Sequence, residues 1–273
     1  MVPGLFCNVH GSDIVNIPHV NERAKEAFHN DYIHAAPHRA FAIAPGGAWS
    51  WVEGKPDAQA ASAAAMSACR QYTNQQCMVF AVNNEIKFDS KKWPGLWGPY
   101  KNKQQAQQAQ IGTALGERFP DIKFTDPAGK KKSIAQLKGK VVFVHFWGCW
   151  CPSCRYEFVT LIDLYRILND LPGHDVEFVV MQMREPITQA RAWAKENNLT
   201  ALPLSDSGVQ SSNDTELTLS NGKKIQDRAF ANLFPASYVI DKHGVVVFSH
   251  MGSVSDWTEY VAFFRDVNAR SGK

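Results

Sequence analysis

Apolar and polar positions follow a regular plan in the second part of this 273-residue chain. Residues 141–147 form an unbroken run, VVFVHFW, read as a strand buried on both faces. After it Phe158, Leu161, Ile162, Tyr165 and Leu168 recur at helical spacing, which predicts a helix from Pro152 to about Asn169. A second strand is expected over 176–181, then a helix from Thr188 to about Asn197 carrying Trp193. The polar stretch 205–227 reads as a loop with a short hairpin turning at Asn221-Gly222. Residues 237–241 and 245–250 read as an antiparallel pair around Lys242-His243-Gly244. A last helix begins near Ser255 and is expected to bury Trp257, Tyr260, Val261 and Phe264. Strand–helix–strand followed by hairpin–helix predicts an α/β fold with a mixed sheet flanked by helices.

The first part of the chain is patterned differently. Residues 1–38 hold five of the nine histidines (His10, His19, His29, His34, His38) and show little periodicity. A small α/β unit is expected over 40–90. Its parts are a strand at 41–44, a turn at Pro45-Gly46-Gly47, an alanine-rich helix from 58 to 72 after Pro56-Asp57, and a strand at 77–82. Asn83-Asn84 turns into Ile86-Lys87-Phe88. Residues 93–99 are turn-rich and aromatic, and the glutamine-rich tract from Lys101 to Gln110 has almost nothing to bury and reads as a linker or an exposed helix, so the linker is expected over about 91–110. These features predict an accessory segment over 1–110 and a second domain over 111–273.

Charge excludes some partners. The chain has 29 basic and 26 acidic residues, a net +3, which points to neither nucleic acid nor a membrane surface. No apolar run approaches the roughly 18 residues a membrane span needs. Residues 1–8 have no basic leader and no long apolar core, so they are not read as a signal peptide. Either a cytosolic protein or a mature exported chain fits. The six cysteines (Cys7, Cys69, Cys77, Cys149, Cys151, Cys154) bear on that choice. Cys69 and Cys77 are expected to form a structural disulfide, which needs an oxidising compartment and favours the periplasm.

The chemistry centres on Trp150-Cys151-Pro152-Ser153-Cys154, at a strand-to-helix junction. Unpaired N–H groups and the helix dipole stabilise a thiolate at a helix start, and Pro152 suits the first turn. Cys151 is therefore expected to be the attacking nucleophile and Cys154, one turn on, the more buried resolving thiol. A zinc ribbon would need a second ligand pair that Cys69 and Cys77 do not supply.

The stretch Gly139–Trp147 followed by Trp150–Cys154 resembles the TlpA/ResA family of thioredoxin-fold thiol–disulfide oxidoreductases. Two further stretches are similar to the family in the same order: Asp126-Pro127-Ala128-Gly129 with residues 134–140, and Phe234-Pro235-Ala236-Ser237-Tyr238-Val239-Ile240-Asp241. The resemblance covers about residues 111–273. It implies a thioredoxin-like fold, protein disulfides as substrates, no cofactor, and a membrane electron donor as partner. Apocytochrome c or copper-site proteins are the implied clients. It further implies that Pro235 is cis and faces the dithiol, presenting the backbone of Phe234 to an extended substrate. Phe234 departs from the smaller residue common there, which bears on partner choice. Glu157 matches a glutamate that the ResA-like branch uses to tune its thiols. Val159 stands where the family often has proline.

Other residues have two readings each. His145 occupies the place of thioredoxin's buried acid, so it is either a proton relay to Cys154 or a satisfied core histidine. Glu157 is either a tuning carboxyl or a solvated helix-face residue. Trp147 and Trp150 are expected to give the nucleophile an apolar rim, with Trp150, Pro152 and Phe234 contacting substrate. Cys149 adds a third thiol. It is either a small buried residue or, with Cys151, Cys154 and His145, part of a copper(I) chaperone site, the rival function. No metal site is expected at His29, His34 and His38, because Pro37 breaks the helical pairing. Cys7 has no evident mate.

Overall fold

The structure is a computed structural model that describes residues 15–73, 75–173 and 175–271. Cys7, His10 and the leader reading of residues 1–8 lie outside the described residues. Among the described residues no helix is long and apolar enough to cross a membrane.

The chain opens with helix α1 (Glu22–Glu26), capped by the Asn21 side chain and continued by π- and 3-10-helical turns to His34. Sequence periodicity left this region without an element. Its inward positions are Ala24, Phe28 and Tyr32, spaced by four and buried against the first sheet. That sheet has four antiparallel strands in the order β2-β1-β3-β4: β1 (Ala40–Ile43), β2 (Trp49–Val52), β3 (Met78–Val82) and β4 (Glu85–Ile86). Between β2 and β3 runs α2 (Ala58–Cys69), whose Asp57 cap accepts from the Ala60 N–H. Its face of Ala61, Ala65 and Cys69 packs closely on the sheet because those side chains are small. A disulfide joins Cys69 to Cys77, across a Cα–Cα distance of 6.3 Å. The glutamine tract holds α3 (Lys103–Gln108), closed by a capping box between Asn102 and Gln105.

A hairpin of β5 (Lys123–Thr125) and β6 (Lys131–Ser133) leads into β7 (Val141–Trp147), the middle strand of the second sheet. Every residue of β7 is buried, as its unbroken apolar run requires. Helix α4 (Pro152–Asp170) crosses to β8 (Val176–Gln182), parallel to β7. Helix α5 (Ile187–Glu196) then leads to the short β9 (Leu204–Ser205). An outlying hairpin, β10 (Glu216–Thr218) and β11 (Lys224–Gln226), turns at Gly222, whose φ of 83° favours glycine. Strands β12 (Ala236–Ile240) and β13 (Val246–Met251) complete the order β13-β12-β7-β8-β9, with β12 antiparallel to both neighbours. A 3-10 turn (Trp257–Tyr260) and α6 (Val261–Arg270) bury Trp257, Tyr260, Phe263, Phe264 and Val267, whereas Val261 is only half-buried. This is the thioredoxin-like arrangement.

The two sheets share one apolar core. His19 stacks on Tyr260 with ring centroids 4.2 Å apart, and Trp97 meets Phe263 edge-on at 5.7 Å. The Tyr260 hydroxyl donates to the His19 carbonyl, and the Tyr100 hydroxyl to Asp266.

Candidate functional site: a dithiol at a helix start

Cys151 is the N-cap of α4. The Cys154 N–H donates to the Cys151 Sγ at 3.2 Å, one of the four orphan donors that open any α-helix. The two cysteines are joined in a disulfide with Cα atoms 5.3 Å apart. Pro152 occupies the first turn and is exposed. Cys151 keeps 5% of its surface exposed and Cys154 none, so an incoming sulfur meets Cys151 first. Reduced, Cys151 would present its sulfur to that same N–H and to the positive end of α4, both of which favour the anion.

The strand ends gather the rest. Ala236 is in register with Phe146 of β7 and with Met251 of β13, so the start of β12 lies beside the end of β7. The Phe234–Pro235 peptide bond before β12 is cis. Trp150 projects over this corner, 44% exposed, and meets the Phe234 ring edge-on at 5.3 Å. Its indole N–H donates to the Met183 carbonyl at 2.8 Å. A Cβ at Gly148 would lie 2.1 Å from the indole nitrogen, so a larger residue there would displace the Trp150 ring. The Phe234 ring is buried beneath Trp150 and beneath the Arg184 guanidinium, 5.4 Å from its centroid. Arg184 is itself held by buried Asp227 through two hydrogen bonds of 2.7 and 3.2 Å. Leu233, next to Phe234 in the chain, is 58% exposed.

Trp147 does not belong to that rim. It is fully buried and packs on Phe158 at 4.4 Å and on Trp193 at 5.6 Å. The physical reason is that β7 is covered on both faces, so no side chain of this strand reaches solvent.

On the buried face of α4, three residues on from Cys154, Glu157 belongs to a closed polar group. His145 on β7 and Glu157 on α4 are both fully buried, and their facing atoms, Nε2 and Oε1, are 3.3 Å apart but outside hydrogen-bond alignment. The His145 Nδ1 meets the Ser237 hydroxyl at 2.9 Å. The second Glu157 oxygen accepts from the Val254 N–H at 2.7 Å and from the Trp257 indole at 3.1 Å. Burial pushes the His145 pKa down to about 3 and that of Glu157 up to about 8. Both side chains are therefore neutral near pH 7. The imidazole Nδ1 shares a hydrogen bond with the Ser237 hydroxyl, and Nε2 faces Oε1 of Glu157 without making one. Glu157 is thus not a solvated helix-face residue.

Cys149 is half-buried rather than an inert core thiol. Its N–H and its thiol both donate to Glu185, at 2.7 and 2.6 Å, and Gln189 approaches its sulfur at 3.6 Å. Burial, with the Glu185 carboxylate second, pushes its pKa up to about 11. Among the described residues no group of three or more His, Cys, Asp or Glu side chains is placed to hold a metal ion. Sequence reasoning missed Glu185, Arg184, Asp227 and Ser237. Arg184-Glu185-Pro186 begins two residues after the end of β8, a strand parallel to β7, and so reaches the same sheet end as the dithiol; that is the available signal.

Comparison with known proteins agrees with this chemistry. The Redoxin family profile matches residues 114–262. The thioredoxin-like protein YneN of Bacillus subtilis is 28% identical over 160 residues, 58% of this chain and 82% of that one. The thiol–disulfide oxidoreductase ResA of Bacillus cereus is 29% identical over 133 residues, 49% of this chain and 67% of that one. Among solved structures, StoA of Bacillus subtilis covers 53% of this chain and 98% of its own, at 19% identity and a TM-score of 0.39. A secreted thiol–disulfide isomerase of Corynebacterium glutamicum covers 55% and 84%, at 19% identity and 0.42.

Proposed function

The chain belongs to the Redoxin family and is a thiol–disulfide oxidoreductase, and from that premise we propose that it works as an exported reductase of protein disulfides. The observation that carries the reading is Cys151 at the start of α4, where its sulfur caps the helix by accepting the Cys154 N–H. In the reduced enzyme the Cys151 thiolate attacks one sulfur of a client disulfide, and the other client sulfur leaves and takes a proton. The client stays bonded to Cys151, its backbone against that of Phe234 and its flanks on Trp150 and Leu233. Cys154, deprotonated, attacks the Cys151 sulfur and releases the second client thiol. The client has gained two electrons and two protons, and Cys151–Cys154 is a disulfide again.

In this scheme Glu157, three residues after Cys154 on α4, and His145 opposite it are the internal proton carriers. Export accounts for the Cys69–Cys77 disulfide, which an oxidising compartment maintains. A membrane electron donor recharges Cys151–Cys154, and apocytochrome c or copper-site precursors are the clients. Residues up to 110 serve as an accessory unit to the thioredoxin-like part. The test is insulin reduction together with capture. Cys154→Ala is expected to accumulate a mixed disulfide through Cys151, and Cys151→Ala to abolish both reduction and capture. Persistent reduction by Cys151→Ala would sink the reading. A Cys151–Cys154 potential near −120 mV, that of a strong oxidant, would reverse the direction.

A further inference from the structure

A cleft of about 750 Å³ lies between the two sheets. Its walls are the outermost strands of both: Trp49, Ser50 and Trp51 of β2 on one side, Ser249, His250 and Met251 of β13 on the other. The start of β13 is already paired, since the Gly116 N–H donates to the Val246 carbonyl and the Val246 N–H to that of Glu117. The cleft occupies the stretch where this pairing has ended. Its floor is built by the Pro45-Gly46-Gly47 turn. The His250 ring meets the Gly46 carbonyl at 3.2 Å, and a Cβ on Gly47 (φ 87°) would come within 2.9 Å of that ring. Tyr72, 74% exposed, and Leu115 stand at its rim.

The cleft is continuous with the redox corner. Met251, in its wall, is the register partner of Ala236, the residue after the cis proline. The Gly252 N–H donates to the Pro235 carbonyl at 2.8 Å, and Leu233 lies over Gly252. From β7 to β13 is two strand spacings, about 10 Å, which about three extended residues cross. We infer that the cleft takes the extended polypeptide flanking the client's cysteine, which adds as a strand to β2 and to the end of β13, along the edges that no other strand pairs among the described residues. This rests on the reductase reading above and gives it a second substrate surface, one that the accessory unit supplies. An unpaired edge recognises backbone, so the segment is read by its extended form, while Trp49, Trp51, Tyr72 and Leu115 favour apolar and aromatic side chains.

The test uses the full chain and synthetic peptides, each with one cysteine in mixed disulfide with glutathione. Alternating Val-Thr extensions of two, four, six and eight residues are placed on either side. For one of the two sides, kcat/KM is expected to rise between about three and seven residues and then level off, as the edge fills. Tyr72→Asp is expected to lower kcat/KM for the long peptides at least about fivefold. It should leave the short ones and hydroxyethyl disulfide unchanged. Photo-crosslinking from a benzophenone amino acid at position 72, in a Cys154→Ala background that traps the long peptide on Cys151, should mark the extension. Rates independent of length on both sides, or a crosslink confined to other surfaces, would overturn the inference. Loss of hydroxyethyl disulfide reduction in the wild-type protein would instead strike at the reductase reading itself.

Discussion

At the scale of single residues, His145 and Glu157 are two ionisable groups sealed from water and both held neutral. Their titration signs oppose each other. Glu157 has its folded pKa raised from 4.5 to about 8, so its contribution to stability is complete below about pH 4.5 and is lost as pH rises toward 8. His145 has its folded pKa lowered from 6.5 to about 3, so its contribution is complete above pH 6.5 and is lost as pH falls toward 3. Between 4.5 and 6.5 the two slopes cancel. Above 6.5 only the glutamate slope remains, on the order of 2 kcal/mol by pH 8. Denaturant unfolding at pH 6.5 and pH 8 should show that loss in the wild type and little of it in Glu157→Gln. Equal losses in both proteins would mean that Glu157 is not the titrating group. His145 and Glu157 were each legible as candidates from their place in the motif. Their mutual approach was not, because it depends on α4 lying across β7.

At the scale of elements, what could be read from sequence was whatever is encoded locally. Helix α4 and its dithiol were legible because the 3.6-residue period, the proline and the cysteines sit within one contiguous stretch. Strand β2 was missed: its Trp49-Ser50-Trp51-Val52 is only four residues long and lies between a glycine turn and a proline. The helical turns of 22–34 were missed because their inward contacts, Ala24, Phe28 and Tyr32, are fixed by the sheet they pack against. The alanine face of α2 buries little apolar area per residue, so α2 relies on its bond to the turn before β3. The Cys69–Cys77 disulfide closes a separation of eight residues, which corresponds to about 2.5 kcal/mol of unfolded-state entropy. The double variant Cys69→Ser, Cys77→Ser should lose about that much stability in chemical unfolding, with insulin reduction intact at 25 °C. A change well under 1 kcal/mol would show that α2 is held by packing alone.

At the scale of the molecule, the apolar core runs without a break from Ile17 and Phe28 through Phe143 to Phe264. The stacking of His19 on Tyr260 and the hydrogen bond from Tyr100 to Asp266 tie residues far apart in sequence. Calorimetry should therefore show one cooperative transition, with calorimetric and van't Hoff enthalpies equal. Two resolved transitions would show that the segment up to 110 melts independently. Three sulfurs lie within six residues here, and two of them, Cys151 and Cys154, form a bridge. The third, Cys149, gives its proton's hydrogen bond to Glu185 and is kept from becoming an anion. A thiol held protonated is a poor nucleophile, which sets Cys149 apart from the two neighbouring sulfurs that form the bridge.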